Sequence, residues 1–114
     1  ALAQGLTDLG YAVSGPHVVA DSIDLISEQL TLALANKTRL IVTTGGTGVS
    51  PTDITPEATA PFIEKLIPGF SEALRAYSRD KVPTSDLTRG LVGTNGTSLI
   101  INLQAPRVQL KMAL

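Results

Sequence analysis

The stretch Arg39–Thr59, RLIVTTGGTGVSPTDITPEAT, constrains this chain more than any other. Leu40-Ile41-Val42 is a short apolar run that reads as a buried strand, ended by Thr43 and Thr44. Gly45-Gly46-Thr47-Gly48 follows, a loop whose glycines permit backbone angles closed to other residues. Ser50-Pro51, an acid at Asp53 and a helix start at Thr55-Pro56-Glu57 complete the unit. Thr55 is expected as the N-cap, Pro56 suits the first helical turn, and Glu57 suits the positive end of the helix dipole. A strand, glycine loop, acid and capped helix gather backbone N–H groups and a carboxylate at one rim of a sheet, where open α/β sheets bind ligands. Glycine amides can approach a phosphate because no Cβ intervenes. Asp53 suits such a place only with a bridging Mg²⁺ or a proton to accept. The loop is neither a P-loop, lacking Gly-Lys-Ser/Thr, nor the dinucleotide GxGxxG. Two readings stand on the residues alone: a cradle for a phosphate-bearing ligand, or a tight strand-to-helix turn.

A chain of 114 residues is one domain with room for a core. It has two Phe, two Tyr and no Trp, so that core must be built from Leu, Ile, Val and Ala. A net charge of −1 without charge runs argues against a general nucleic-acid surface. The absence of cysteine removes disulfides, thiolate nucleophiles and Cys-based zinc sites. No apolar run reaches membrane-spanning length and no signal-peptide pattern is present, so no membrane association and a cytoplasmic location are the default expectation.

Taken in order, Leu2, Leu6 and Leu9 have helical spacing before Gly10, and Tyr11–Val19 reads as a strand with a bulge or edge position at Gly15-Pro16. His17 lies in it without a visible partner and reads as structural or exposed. Asp21-Ser22 caps a helix from about Ile23 to Ala35, with Ile23, Ile26, Leu30 and Leu34 on its apolar face and Asn36-Lys37-Thr38 at its end. Pro56–Leu66 reads as one helix and Gly69–Tyr77 as another, broken at Ile67-Pro68-Gly69. Ser78–Ser85 reads as a loop, Arg89–Val92 and Thr97–Leu103 as strands joined through Thr94-Asn95-Gly96, and the chain stops as a further helical pattern begins. Strands separated by helices imply parallel βαβ units. The expected fold is α/β, a mostly parallel sheet flanked by helices with a late antiparallel hairpin.

The wording of the central stretch resembles the signature of the molybdopterin-binding MogA/MoaB family, roughly TxGGTGxxxRDxTPEA. Ile67-Pro68-Gly69 is similar to that family's (I/T)PG, Leu87-Thr88-Arg89-Gly90 to its L-S-R-(A/G), and Thr97–Leu103 to its late strand. MoeA-type and CinA-type domains carry a related glycine motif, but Thr55-Pro56-Glu57-Ala58 and the later blocks favour MogA/MoaB. The resemblance implies a three-layer α/β/α molybdopterin-binding domain spanning 1–114. It implies that the family's first strand and C-terminal helix end are missing from these residues. It further implies a molybdopterin adenylyltransferase, which transfers AMP from Mg-ATP to molybdopterin and releases pyrophosphate. By the same resemblance Asp53 is an active-site acid, and Asp21, in Val18-Val19-Ala20-Asp21, matches the family's V-V-P-D-E block; the other reading of Asp21 is a helix cap. The two acids are the expected Mg²⁺ ligands. Thr44, Gly45, Gly46, Thr47, Gly48, Ser50, Glu57, Thr88 and Asn102 are the expected substrate contacts. For Glu57 a dipole role, for Thr88 a strand start and for Asn102 satisfaction of backbone groups are the competing readings. Lys81 and Arg89 could meet phosphate, solvated surface charge being the alternative. A homotrimer and a MoeA-type molybdate-inserting partner are implied as well.

Two departures stand out. Thr52 replaces the family's arginine, removing a bidentate phosphate contact. Leu103-Gln104-Ala105-Pro106-Arg107 replaces L-P-G-x-P, removing a rigid turn. The second change raises an alternative function, a non-catalytic molybdopterin-binding or scaffold module; a CinA-type nucleotide-processing domain is a further alternative.

Overall fold

A computed structural model describes residues 8, 12–15, 17–78, 88–103 and 110–113. The expectations for the first helix, for Lys81 and for the Gln104–Arg107 loop lie outside the described residues, apart from a helical Asp8. Among the described residues six strands form one sheet in the order β1-β6-β2-β5-β4-β3: β1 His17–Val19, β2 Leu40–Thr44, β3 Lys65–Leu66, β4 Val92–Asn95, β5 Ser98–Leu103 and β6 Leu110–Ala113. The helices are α1 Ile23–Ala35, α2 Thr55–Thr59 and α3 Pro68–Ser78, with a 3₁₀ turn at Ala60–Phe62.

The α/β class stands, and the sheet is mixed rather than mostly parallel. Its parallel pair is β2–β5, in the register Leu40↔Leu99 to Thr44↔Leu103. β6 lies antiparallel between β1 and β2, so β1, β2 and β5 all run the same way although β1 and β2 do not touch directly. β6 replaces the expected terminal helix. Val108, Leu110 and Met112 alternate with a period of two, and the gap between β1 and β2 offers backbone partners on both sides.

Ser22 is the N-cap of α1, its Oγ accepting the Leu25 N–H at 3.4 Å; Asp21 stands just outside. Ile26 and Leu30, one turn apart, are fully buried, whereas Ile23 is largely exposed. They pack with Ala58 of α2 on Ile41 and Ile100, which pair across β2 and β5. Lys37, at φ 55°, closes α1 in the left-handed region. The Ser98 hydroxyl donates to the Thr38 carbonyl and pins the start of β5 beside the start of β2.

The helix expected over Pro56–Leu66 stops early. Pro61 has no N–H to give the Glu57 carbonyl, so the chain tightens into the 3₁₀ turn and then runs beside β4. There Glu64 N–H donates to Thr94 O at 2.8 Å and Ile67 N–H to Val92 O at 2.7 Å, flanking the β3–β4 pairing. The β4–β5 hairpin exists as expected, but its turn is Gly96-Thr97, with Asn95 paired to Ser98; Arg89–Leu91 precede the strand. Among the described residues of the expected strand, β1 covers His17–Val19 and residues 12–15 lie outside it, Gly15 at φ 101°.

Candidate functional site

The carboxyl ends of β1, β2 and β5 and the start of β4 share one edge of the sheet. On that edge stand Asp21 after β1, Thr44 and the glycine loop after β2, Asn102 near the end of β5, and Thr88–Gly90 before β4. This is the rim anticipated from the strand–loop–helix pattern.

Gly45 and Gly46 adopt φ values of 87° and 69°, which side chains resist, and so turn the chain sharply out of β2. The turn is tied at both ends: Gly45 N–H donates to Leu103 O at 2.9 Å, and Thr55 N–H to Gly46 O at 3.1 Å. Among the described residues, the N–H groups of Gly46, Thr47 and Gly48 find no acceptor, although Gly46 and Thr47 are buried. Buried amides without partners are rare and mark a place for one. At Gly48 a Cβ would stand 2.7 Å from Asp53 Oδ2, so a side chain there would displace the Asp53 carboxylate. That oxygen accepts the Ser50 N–H at 3.0 Å, while Ser50 O accepts the Asp53 N–H at 2.9 Å. Asp53 thus shapes the turn of its own loop. Ser50 Oγ is engaged within the same turn by Thr52.

The expected cap at Thr55 is displaced. Ile54 occupies the N-cap position without a side-chain bond, and Thr55 is already helical. Thr55 N–H is drawn to Gly46 O, which pulls residue 55 inward, and its hydroxyl is fully buried without a partner among the described residues.

Thr88 and Arg89 meet the loop from the far side of the sequence. Thr88 Oγ1 donates to Thr47 Oγ1 at 2.6 Å, and Arg89 N–H donates to Thr47 O at 2.7 Å. The Arg89 guanidinium reaches Gly48 O at 2.8 Å through Nε and Asp53 O at 2.7 Å through Nη2. It also grips both carboxylate oxygens of Glu57, at 2.5 and 3.1 Å. Its hydrogen bonds to Glu57 hold that carboxyl below its ordinary range, and the same bonds raise the arginine. Glu57 therefore faces Arg89, and Arg89 is no free surface charge; its fork is filled by the loop. Sequence reasoning undervalued this residue, although opposite charges at Glu57 and Arg89 in two motif blocks were the available signal.

Asn102 sits behind the loop with both amide hydrogens engaged, on Thr43 Oγ1 at 2.9 Å and Thr59 Oγ1 at 3.1 Å. Its Oδ1 accepts the Leu91 N–H at 3.0 Å. This is the backbone-satisfying role with two buried threonines added. Gly90 permits it: a Cβ there would lie 2.8 Å from Asn102 O. Beside it a cavity of about 220 Å³ opens between α3 (Ser71, Leu74, Arg75, Tyr77) and the Thr88, Gly90 and Leu103 wall. Arg75 braces that wall by donating to Thr88 O at 3.1 Å.

Among the described residues no three His, Cys, Asp or Glu side chains gather into a protein-only metal cage. Asp53, with one oxygen on Ser50, and Asp21 stand on the same rim. No helix among the described residues is long and apolar enough to cross a membrane.

Comparison with known proteins agrees with this geometry. Residues 1–114 match the family model described as a probable molybdopterin binding domain. The molybdopterin adenylyltransferase of Helicobacter pylori is 47% identical over 88 residues, 76% of this chain and 50% of that protein. Molybdenum cofactor biosynthesis protein B of Staphylococcus carnosus is 34% identical over 113 residues, 96% of this chain and 66% of that protein. A solved MogA structure superposes with a TM-score of 0.86 at 43% identity, covering 91% of this chain and 68% of the other. A molybdopterin biosynthesis protein from Mycobacterium abscessus gives 0.86 at 34% identity, covering 93% and 68%. The chain spans about half to two thirds of the length of these curated relatives. Motif order, sheet topology and the glycine-loop rim have a common origin: the chain belongs to the molybdopterin-binding MogA/MoaB family.

Proposed function

We propose that this domain serves molybdenum cofactor biosynthesis by adenylylating molybdopterin. The observation that carries the reading is the row of unpartnered amides at Gly46, Thr47 and Gly48, set on the rim that also bears Asp53 and Asp21. Such amides are suited to a phosphate that a glycine backbone can approach. In the reaction, an oxygen of the molybdopterin phosphate attacks the α-phosphorus of ATP, the bond to the β-phosphate oxygen breaks, and pyrophosphate leaves. No protein nucleophile is required. The residues act by orienting two anions and by stabilising charge that grows on the α-phosphate. Gly46, Thr47 and Gly48 donate to phosphate oxygens, with Thr44 and Gly45 shaping their approach. Asp53 and Asp21 would hold Mg²⁺, which when bound neutralises charge on the phosphates. The cavity beside Thr88 suits the pterin by its position and its mixed lining. Ser50, Glu57 and Asn102 support this site through the loop rather than through ligand contact.

A cytoplasmic location, assembly as a homotrimer and delivery to a MoeA-type partner belong to the same proposal. The test is pyrophosphate release from Mg-ATP by the full-length parent protein, with and without molybdopterin. Molybdopterin-dependent release that Asp53→Ala abolishes, with unfolding unchanged, supports it; unchanged turnover in that variant would sink it. Pterin binding with no release would favour the non-catalytic binding module suggested by Gln104-Ala105.

A further inference from the structure

We propose that Arg89, paired with Glu57, is a positioning residue that sets the glycine loop and Asp53 for the anionic substrates; the inference rests on the adenylyl-transfer reading above. One residue holds four points of the site. Its main-chain N–H takes Thr47 O, and its side chain takes Gly48 O, Asp53 O and the Glu57 carboxylate. Gly48 and Asp53 bracket the segment Val49–Thr52, which is exposed and is otherwise held by Ser50, bonded to Thr52 and to Asp53. The guanidinium therefore bridges the two ends of that segment and fixes their separation. It does so from 36 to 41 residues away in sequence, so nothing local can replace it.

The donor geometry explains the choice of residue. All but one of the guanidinium N–H groups are engaged by loop and Glu57 oxygens, so Arg89 is not free to grip a phosphate in the bidentate manner. Its effect on substrate is carried by the Gly48 amide, which shares a peptide plane with the Thr47 carbonyl that the Arg89 N–H holds, and by Asp53, whose carbonyl the guanidinium holds. Lysine would keep the charge but lose the planar fork that spans two carbonyls and a carboxylate together. An ordinary half-exposed ion pair, by contrast, contributes little and depends on charge alone.

The experiment uses the full-length parent protein and compares wild type, Arg89→Lys, Glu57→Gln and the exchange Arg89→Glu/Glu57→Arg. Amide hydrogen exchange is read at residues 46–53, with inorganic pyrophosphate as the anion probe, alongside turnover. In Arg89→Lys the loop amides should exchange about 10-fold faster or more while β2 and β5 keep their protection. Where turnover is measured, kcat should fall on the order of 10- to 100-fold with a smaller change in KM, as expected for misplacement of reacting groups. The charge-exchanged pair should stay impaired, because the bonds to Gly48 O and Asp53 O are not restored. Wild-type exchange in Arg89→Lys, or recovery in the charge-exchanged pair, would overturn the proposal. Should Arg89→Lys fail to fold, Glu57→Gln decides: it keeps the carbonyl bonds and should alter loop exchange less than about 3-fold, and a larger change overturns the clamp. Loop exchange needs no turnover, so an inactive wild type would refute the adenylyltransferase reading separately.

Discussion

The glycine loop after β2 and the turn at Gly96-Thr97 use the same residue type for opposite ends. Gly96, at φ 57°, sits at the tip of a hairpin with open space around it. Its conformation is set by neighbours in the chain, because Asn95 pairs with Ser98 across it; one distant contact, its N–H to Glu64 at 2.8 Å, adds to this from an exposed side chain. Gly45, Gly46 and Gly48 lie in a turn whose restraints come from Leu103, Thr88 and Arg89. A hairpin tip is a local solution, whereas a site loop is held from elsewhere. That difference leaves the amides of Gly46, Thr47 and Gly48 unpaired among the described residues while the loop itself is held.

The comparison breaks hardest at Asn102. Asn102→Ala leaves Leu91 N–H without its acceptor and Thr43 and Thr59 without their donor, so urea unfolding should show a loss of about 3 kcal/mol. A loss below about 1 kcal/mol would mean that the network behind the loop is not a structural tie. Gly96→Ala places a side chain in the left-handed region and should cost about 1 kcal/mol with turnover unaltered. Gly96→Asn should recover most of that, since asparagine tolerates this region; equal losses for both would place the cost elsewhere.

The smallest effect concerns pH. Glu57 is held below its ordinary pKa by Arg89, so its stabilising contribution is complete above the ordinary glutamate range and disappears as pH falls through the lowered value. Wild type should exceed Glu57→Gln in stability by at most about 0.5 kcal/mol at pH 7, the pair being half-exposed. That difference should begin to shrink near the ordinary value of 4.5 and vanish only once pH has fallen below the lowered value. A gap persisting well below that value would mean that Glu57 acts through packing instead of charge.

Local chemistry was legible where it was self-contained. The apolar spacing of Ile26 and Leu30, the Ser22 cap and the Asn-Gly hairpin signal all rest on contacts within a few residues. The helix expected over Pro56–Leu66 takes no account of Pro61, which ends it and turns the chain beside β4. Thr55 reads as a cap by type, yet a bond to Gly46 O moved it into the helix. Arg89 reads as a solvated cation because its partners lie more than thirty residues away.

By itself the sequence determined the family, the α/β class and the glycine loop that follows β2 with an acid a few residues on, because these depend on residue type and short-range order. Tertiary structure alone decided the mixed direction of the sheet, with β6 inserted between β1 and β2. It alone also decided that Asn102 is committed to the interior and that Arg89 clamps the loop. Those outcomes rest on backbone and side-chain groups finding partners far along the chain, and hydrogen-bond complementarity at that range is fixed only once the strands are assembled.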